Sequence, residues 1–144
     1  MGKCELKIDD LLLNTGNPRI GSATSQRDAL QKVVSDQGEK LMELASSIVD
    51  EGMSPIDRLL VVKDKQDPAG RFIALEGNRR VAALRILANP TVLDGMQLKP
   101  ATRKRFDAVA RNFDRGNVEP IDCFEVETRD DATTWLYLRH TGEN

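Results

Sequence analysis

Residues 76–80, Glu-Gly-Asn-Arg-Arg, concentrate the groups in this chain best suited to chemistry. An apolar run ends at Glu76, Gly77 follows at once, and Arg79 and Arg80 open a helical pattern that runs to Ala88. Cations are usually found at the C-terminal end of a helix. At the N-terminal end each costs about 0.3–1 kcal/mol against the macrodipole. The same end offers free N–H groups and a positive dipole, which together suit an anion. Gly77 permits a tight turn and a close backbone approach by a ligand, and Asn78 is a favoured N-cap type. With a phosphate bound, the backbone donors, the dipole and two guanidinium forks all become favourable. The competing structural reading pairs Glu76 with an arginine and lays both arginines along the surface. The motif is neither a Walker loop nor a dinucleotide fingerprint, so it leaves both readings standing.

A second concentration of charge lies in residues 99–115. Lys99, Arg103, Lys104, Arg105, Arg111 and Arg115 face only Asp107 and Asp114, a local excess of four positive charges. Such a stretch suits a nucleic-acid backbone, with Arg103, Lys104, Arg105 and Arg111 as the contacts, or a triphosphate tail. The plainer reading is a solvated helix face. His140 is the only histidine, in a polar, turn-prone Arg-His-Thr-Gly, and reads either as a surface residue or as part of a phosphate pocket. Asp9, Asp10, Asp130 and Asp131 read as turn and capping residues. No His, Cys or Glu cluster has metal-ligand spacing, so the only metal expected is Mg²⁺ carried in with a nucleotide. Cys4 and Cys123 are 119 positions apart. They read first as reduced thiols of an intracellular protein, and second as a disulfide tying the first strand to a late one.

The chain that must position these groups has 144 residues, the length of one ordinary domain. Aromatic residues are 4% of the total, so the core has to be aliphatic. A net charge of −2 excludes a polycation and makes any nucleic-acid surface a local patch. No apolar run approaches the ~20 residues of a membrane span, and no signal-type stretch follows Met1. The expected location is the cytoplasm.

Periodicity predicts an opening strand in residues 4–14, then a turn over Asn-Thr-Gly-Asn-Pro-Arg. A helix starts at Gln26, with Leu41, Leu44, Ala45, Ile48 and Val49 on one apolar face. Gly52 ends it and Pro55 blocks continuation. Residues 58–64 and 71–76 are short aliphatic strands joined as a hairpin. The helix over 79–88 breaks at Asn89-Pro90. Residues 91–117 look like a helical insertion, with Ala101, Phe106, Val109, Ala110 and Phe113 as candidate buried positions. A strand in 119–127 and a helix in 130–140 follow. The expected fold class is α+β, a small mixed sheet with helices packed against it.

Residues 75–87, Leu-Glu-Gly-Asn-Arg-Arg-Val-Ala-Ala-Leu-Arg-Ile-Leu, resemble the Gly-Glu-Arg-Arg-x-Arg-Ala box of the ParB/sulfiredoxin-like superfamily. Three further stretches agree in order. Glu43 to Gly52 is similar to the family's Glu-x-x-x-Ser-Ile-x-x-x-Gly motif, residues 17–20 to its opening Asn-Pro box, and residues 120–126 to the strand after the glycine-arginine box. The resemblance covers roughly residues 5–88 and 118–138. It implies a ParB N-terminal-like domain that binds a nucleoside triphosphate of the CTP or ATP type with Mg²⁺, through Gly77, Asn78, Arg79, Arg80, Ser47 and Arg19. It also implies slow, switch-like hydrolysis (a CTPase or ATPase), homodimerisation, and service to a DNA-associated machine in segregation, plasmid maintenance or phage defence. Two alternatives accompany it. One is a DNA-backbone-binding or nuclease-type module. The other is a small-molecule kinase of the free-serine-kinase kind, for which Glu43 or Glu76 would be the catalytic carboxylate. Asn78 departs from the cysteine that sulfiredoxins carry there and from the glutamate of segregation proteins. The end at Glu143-Asn144 is expected to make this chain the N-terminal part of a longer protein.

Overall fold

In the computed structural model, residues 2–16 and 25–137 are described. They form five strands, β1 (Gly2–Leu6), β2 (Leu11–Leu12), β3 (Leu59–Lys63), β4 (Phe72–Glu76) and β5 (Ile121–Val126). Four α-helices accompany them: α1 (Gln26–Glu51), α2 (Asn78–Ala88), α3 (Pro100–Ala110) and α4 (Arg129–Tyr137). The strands lie side by side in the order β1-β5-β3-β4-β2. β1/β5 and β3/β4 are antiparallel, whereas β3/β5 and β2/β4 are parallel. The sheet is therefore mixed, with helices packed on it, as the α+β pattern predicts.

Strand alternation sends neighbouring side chains to opposite faces, and here both faces are covered. Leu59, Val61, Ala74, Ile121 and Cys123 join the main core with α1, α2 and α3. Val62, Leu75 and Val126 lie on the other face, with Ala132 of α4. Aliphatic residues dominate both layers, as the scarcity of aromatics requires.

Ser25 caps α1, its Oγ accepting from the Asp28 N–H at 3.0 Å. Gly52, at φ 78°, closes the other end. The predicted stripe is buried at Leu41, Ala45 and Ile48. The helix kinks at Gln37, where φ and ψ are −135° and 28°.

Two expectations need correction. The opening strand does not run through to Leu13. The Asp10 carboxylate accepts from the Lys7 N–H at 2.9 Å, and the turn of residues 8–10 splits the segment into β1 and β2. The helix expected over residues 99–113 ends at Ala110, where the last turn tightens into i→i+3 bonds from Asn112 and Phe113. In residues 91–117, Phe106 is fully buried in the main core as expected, and Leu93 joins it there. Among the described residues, no helix is long and apolar enough to cross a membrane.

Candidate functional site

β4 delivers Glu76 to the edge of the core, and the chain turns into α2 with a single residue between strand and helix. That residue, Gly77, has φ 96° and ψ 23°, a left-handed conformation that disfavours any side chain. A Cβ there would also run into Leu59 Cδ2. The turn is as tight as predicted, and Leu59 fills the space on the Cβ side of Gly77.

The expectation for Asn78 is corrected. Gly77 occupies the N-cap position, and no side chain caps α2. Asn78 is instead the first helical residue and is only 7% exposed. Its Nδ2 donates to the Ala74 carbonyl at 2.7 Å, and its Oδ1 accepts from the Asn14 N–H at 2.7 Å. The carboxamide thus fastens α2 to β4 and to the end of β2. Burial makes this pairing obligatory, because an unsatisfied amide in the core costs about 1–3 kcal/mol. Only the backbone N–H of Asn78 is left for a ligand.

The two arginines part company. Arg80 is half-buried and its Nη1 donates to the Asp57 carbonyl at 3.3 Å. Arg79, also half-buried, engages no hydrogen-bond or ion-pair partner among the described residues. The junction therefore combines an uncapped helix N-terminus with one guanidinium held by the frame and one left unpaired by it.

Sequence reasoning missed the support behind this junction. Asn14 is buried, and its Oδ1 accepts from the Gly16 N–H at 3.1 Å and from Arg129 Nη1 at 3.0 Å. A relay thus runs from Arg129 through Asn14 to Asn78 and Ala74. The Asn-Thr-Gly turn carried a readable signal, since asparagine often bonds the N–H two residues on. Arg129 carried none, because it lies 115 residues from its partner.

The remaining candidates lie elsewhere. Ser47 and Glu43 are exposed on α1 and line a cleft of about 400 Å³ that also takes in Arg105 and Val109 of α3. No junction residue lines that cleft. Glu76, the last residue of β4, adjoins the turn. Arg19 and His140 lie outside the described residues.

Half of the basic segment's cations are paired within the fold. Arg103 reaches Asp94 at 2.8 Å and Asp107 at 3.1 Å, and these carboxylates raise its pKa. Arg105 pairs with Glu39 at 3.4 Å, and Arg115 with Asp9 at 3.2 Å. Lys104 and Arg111 remain exposed.

Compared with known proteins, the sequence matches no family model and no curated protein. The geometry of the junction and the motif resemblance are what bear on function.

Proposed function

We propose that the β4–α2 junction binds the phosphates of a nucleoside triphosphate, in a domain of the ParB/sulfiredoxin-like kind. The observation that carries this reading is Arg79. It stands at the first turn of an uncapped helix, where a cation is unfavourable without an anion, and no described carboxylate engages it. The backbone N–H groups of Asn78 and Arg79 would hold phosphate oxygens, with Arg79 as the principal charge partner and Arg80 beside it.

Mg²⁺ fits this site as a companion of the nucleotide. The ion takes one or two carboxylates together with phosphate oxygens, and Glu76 is the carboxylate next to the turn. Among the described residues, no group of three His, Cys, Asp or Glu could hold a metal unaided. Slow hydrolysis, homodimerisation and service to a DNA-associated machine belong to the same proposal on the motif resemblance alone, and a cytoplasmic location joins it from the sequence's apolar patterning.

Calorimetry with CTP, ATP and GTP in the presence of Mg²⁺ tests it. The expected result is sub-millimolar binding of at least one nucleotide by the wild type. Arg79→Ala should weaken it roughly ten- to hundredfold, the equivalent of losing about 1.5–3 kcal/mol from charge-assisted hydrogen bonds. Wild-type protein that binds no nucleotide below the millimolar range overturns the reading. Duplex DNA binding that falls steeply with salt, in protein that ignores nucleotides, would replace it with the backbone-binding alternative.

A further inference from the structure

The two cysteines, 119 positions apart in sequence, meet across the sheet. Cys4 of β1 and Cys123 of β5 are direct register partners in an antiparallel pair. Directly opposed residues in such a pair have Cα atoms about 4.5–5.5 Å apart. A disulfide spans Cα separations of roughly 4.4–6.8 Å, so this register brings the two cysteines within reach of one. Both residues pack in the main core, which puts their side chains on the same face of the sheet. Cys4 is half-buried and within reach of reagents, whereas Cys123 is buried.

We propose that Cys4 and Cys123 form a closable dithiol, which a small-molecule disulfide such as oxidised glutathione converts into an intrachain staple between β1 and β5. Cys4, the accessible thiol, attacks the reagent as its thiolate, forms a mixed disulfide and releases one glutathione thiolate. The Cys123 thiolate then attacks the Cys4 sulfur, closes the protein disulfide and expels the second glutathione thiolate. Two protein thiols lose two electrons and two protons. One oxidised glutathione gains the electrons, and its two thiolates take up the protons.

The surroundings set the pace of this exchange. Burial, reinforced by Glu125, raises the Cys4 thiol above its ordinary pKa. Burial, with Cys4 and Asp122 adding to it, pushes Cys123 up to about 12. Only thiolates attack disulfides, so the pair stays reduced without a reagent and closes slowly with one. The consequence is mechanical. Among the described residues, β1 is an edge strand held to the sheet by β5 alone. A staple between the two ties the start of the chain to its last strand.

The test uses the whole native chain incubated with oxidised glutathione, followed by intact mass, free-thiol titration and peptide mapping. The expected product is a monomer lighter by two hydrogens, with both thiols lost and the Cys4 and Cys123 peptides linked until dithiothreitol is added. Its melting temperature should rise above that of the reduced protein, a shift absent in both Cys4→Ser and Cys123→Ala. A glutathione adduct that persists on Cys4 while Cys123 stays free would overturn the proposal. So would native protein that keeps both thiols under conditions that oxidise the urea-unfolded chain, since the native pairing would then be preventing closure. Nucleotide binding is not a readout, so the staple is judged independently of the phosphate site.

Discussion

Gly77 carries more of the local architecture than any other residue at the junction. Two separate penalties act on a side chain there. Left-handed backbone costs an L-residue about 1–2 kcal/mol, and forcing a methyl against Leu59 adds overpacking of about 1–3 kcal/mol. Gly77→Ala should therefore lower unfolding free energy by about 2–5 kcal/mol, read from urea denaturation. Leu59→Ala in the same chain should recover the overpacking share but not the backbone share, so the double variant is less destabilised than the sum of the singles. Equal additivity would show that Leu59 is not the obstacle. The need for a glycine was legible from its place between strand and helix. Its true neighbour was not, because Leu59 lies in another strand. Asn78 shows the same limit: its type and position suggest a cap, and only the fold reveals Asn14 as its partner, 64 residues away.

The β3–β4 hairpin, which delivers the chain to that turn, is secured at its tip by a carboxylate. Asp67 accepts from Arg71 through Nε at 2.9 Å, Nη2 at 3.1 Å and the backbone N–H at 2.8 Å. These bonds hold its pKa at about 2, below the usual 3.8. The unfolded chain thus binds the Asp67 proton more readily than the folded one. The tip is fully stabilised above about pH 4, and that contribution fades as pH falls toward 2. Carboxyl NMR titration should place the Asp67 midpoint near 2, and Asp67→Asn should flatten the melting temperature between pH 4 and 2 relative to wild type. A midpoint near 3.8 would show that the Arg71 clasp does not persist in solution. Elements of this kind were the most legible level of the fold. Short aliphatic runs marked β3 and β4, alternation marked β5, and helical spacing marked α1 and α2, because each rests on neighbours in sequence. Leu11 and Leu12 read as the end of one opening strand, because two residues are too few to show a separate period. β2 exists only through its parallel pairing with β4.

Topology is where local reading stops, and residues 91–117 show why. They read as a helical insertion with Phe106 among its buried positions. Phe106 lies with no exposed surface in the same core as Val81, Leu93 and Ile121. The segment is also tied back to the start of the chain. Glu119 accepts from the Ile8 N–H at 2.7 Å, and Arg115 bridges Asp9 and Glu119. Sequence shows that Phe106 is apolar and on a helix, but its neighbours come from packing elements far apart in the chain. Truncating a buried phenylalanine costs about 3–5 kcal/mol, a large share of the roughly 5–15 kcal/mol that holds a domain together. If α3 is part of one cooperative unit, Phe106→Ala must weaken the whole molecule and not α3 alone. Native-state hydrogen exchange should then show protection falling together in α3, α1 and the central strand β3, by a common factor of at least a hundred. Loss confined to α3, with β3 amides unchanged, would mean that this segment opens independently of the sheet. Because Leu59 of β3 packs beside Gly77 and α2 shares the core with α3, a common loss would also make the junction's rigidity a property of the whole core.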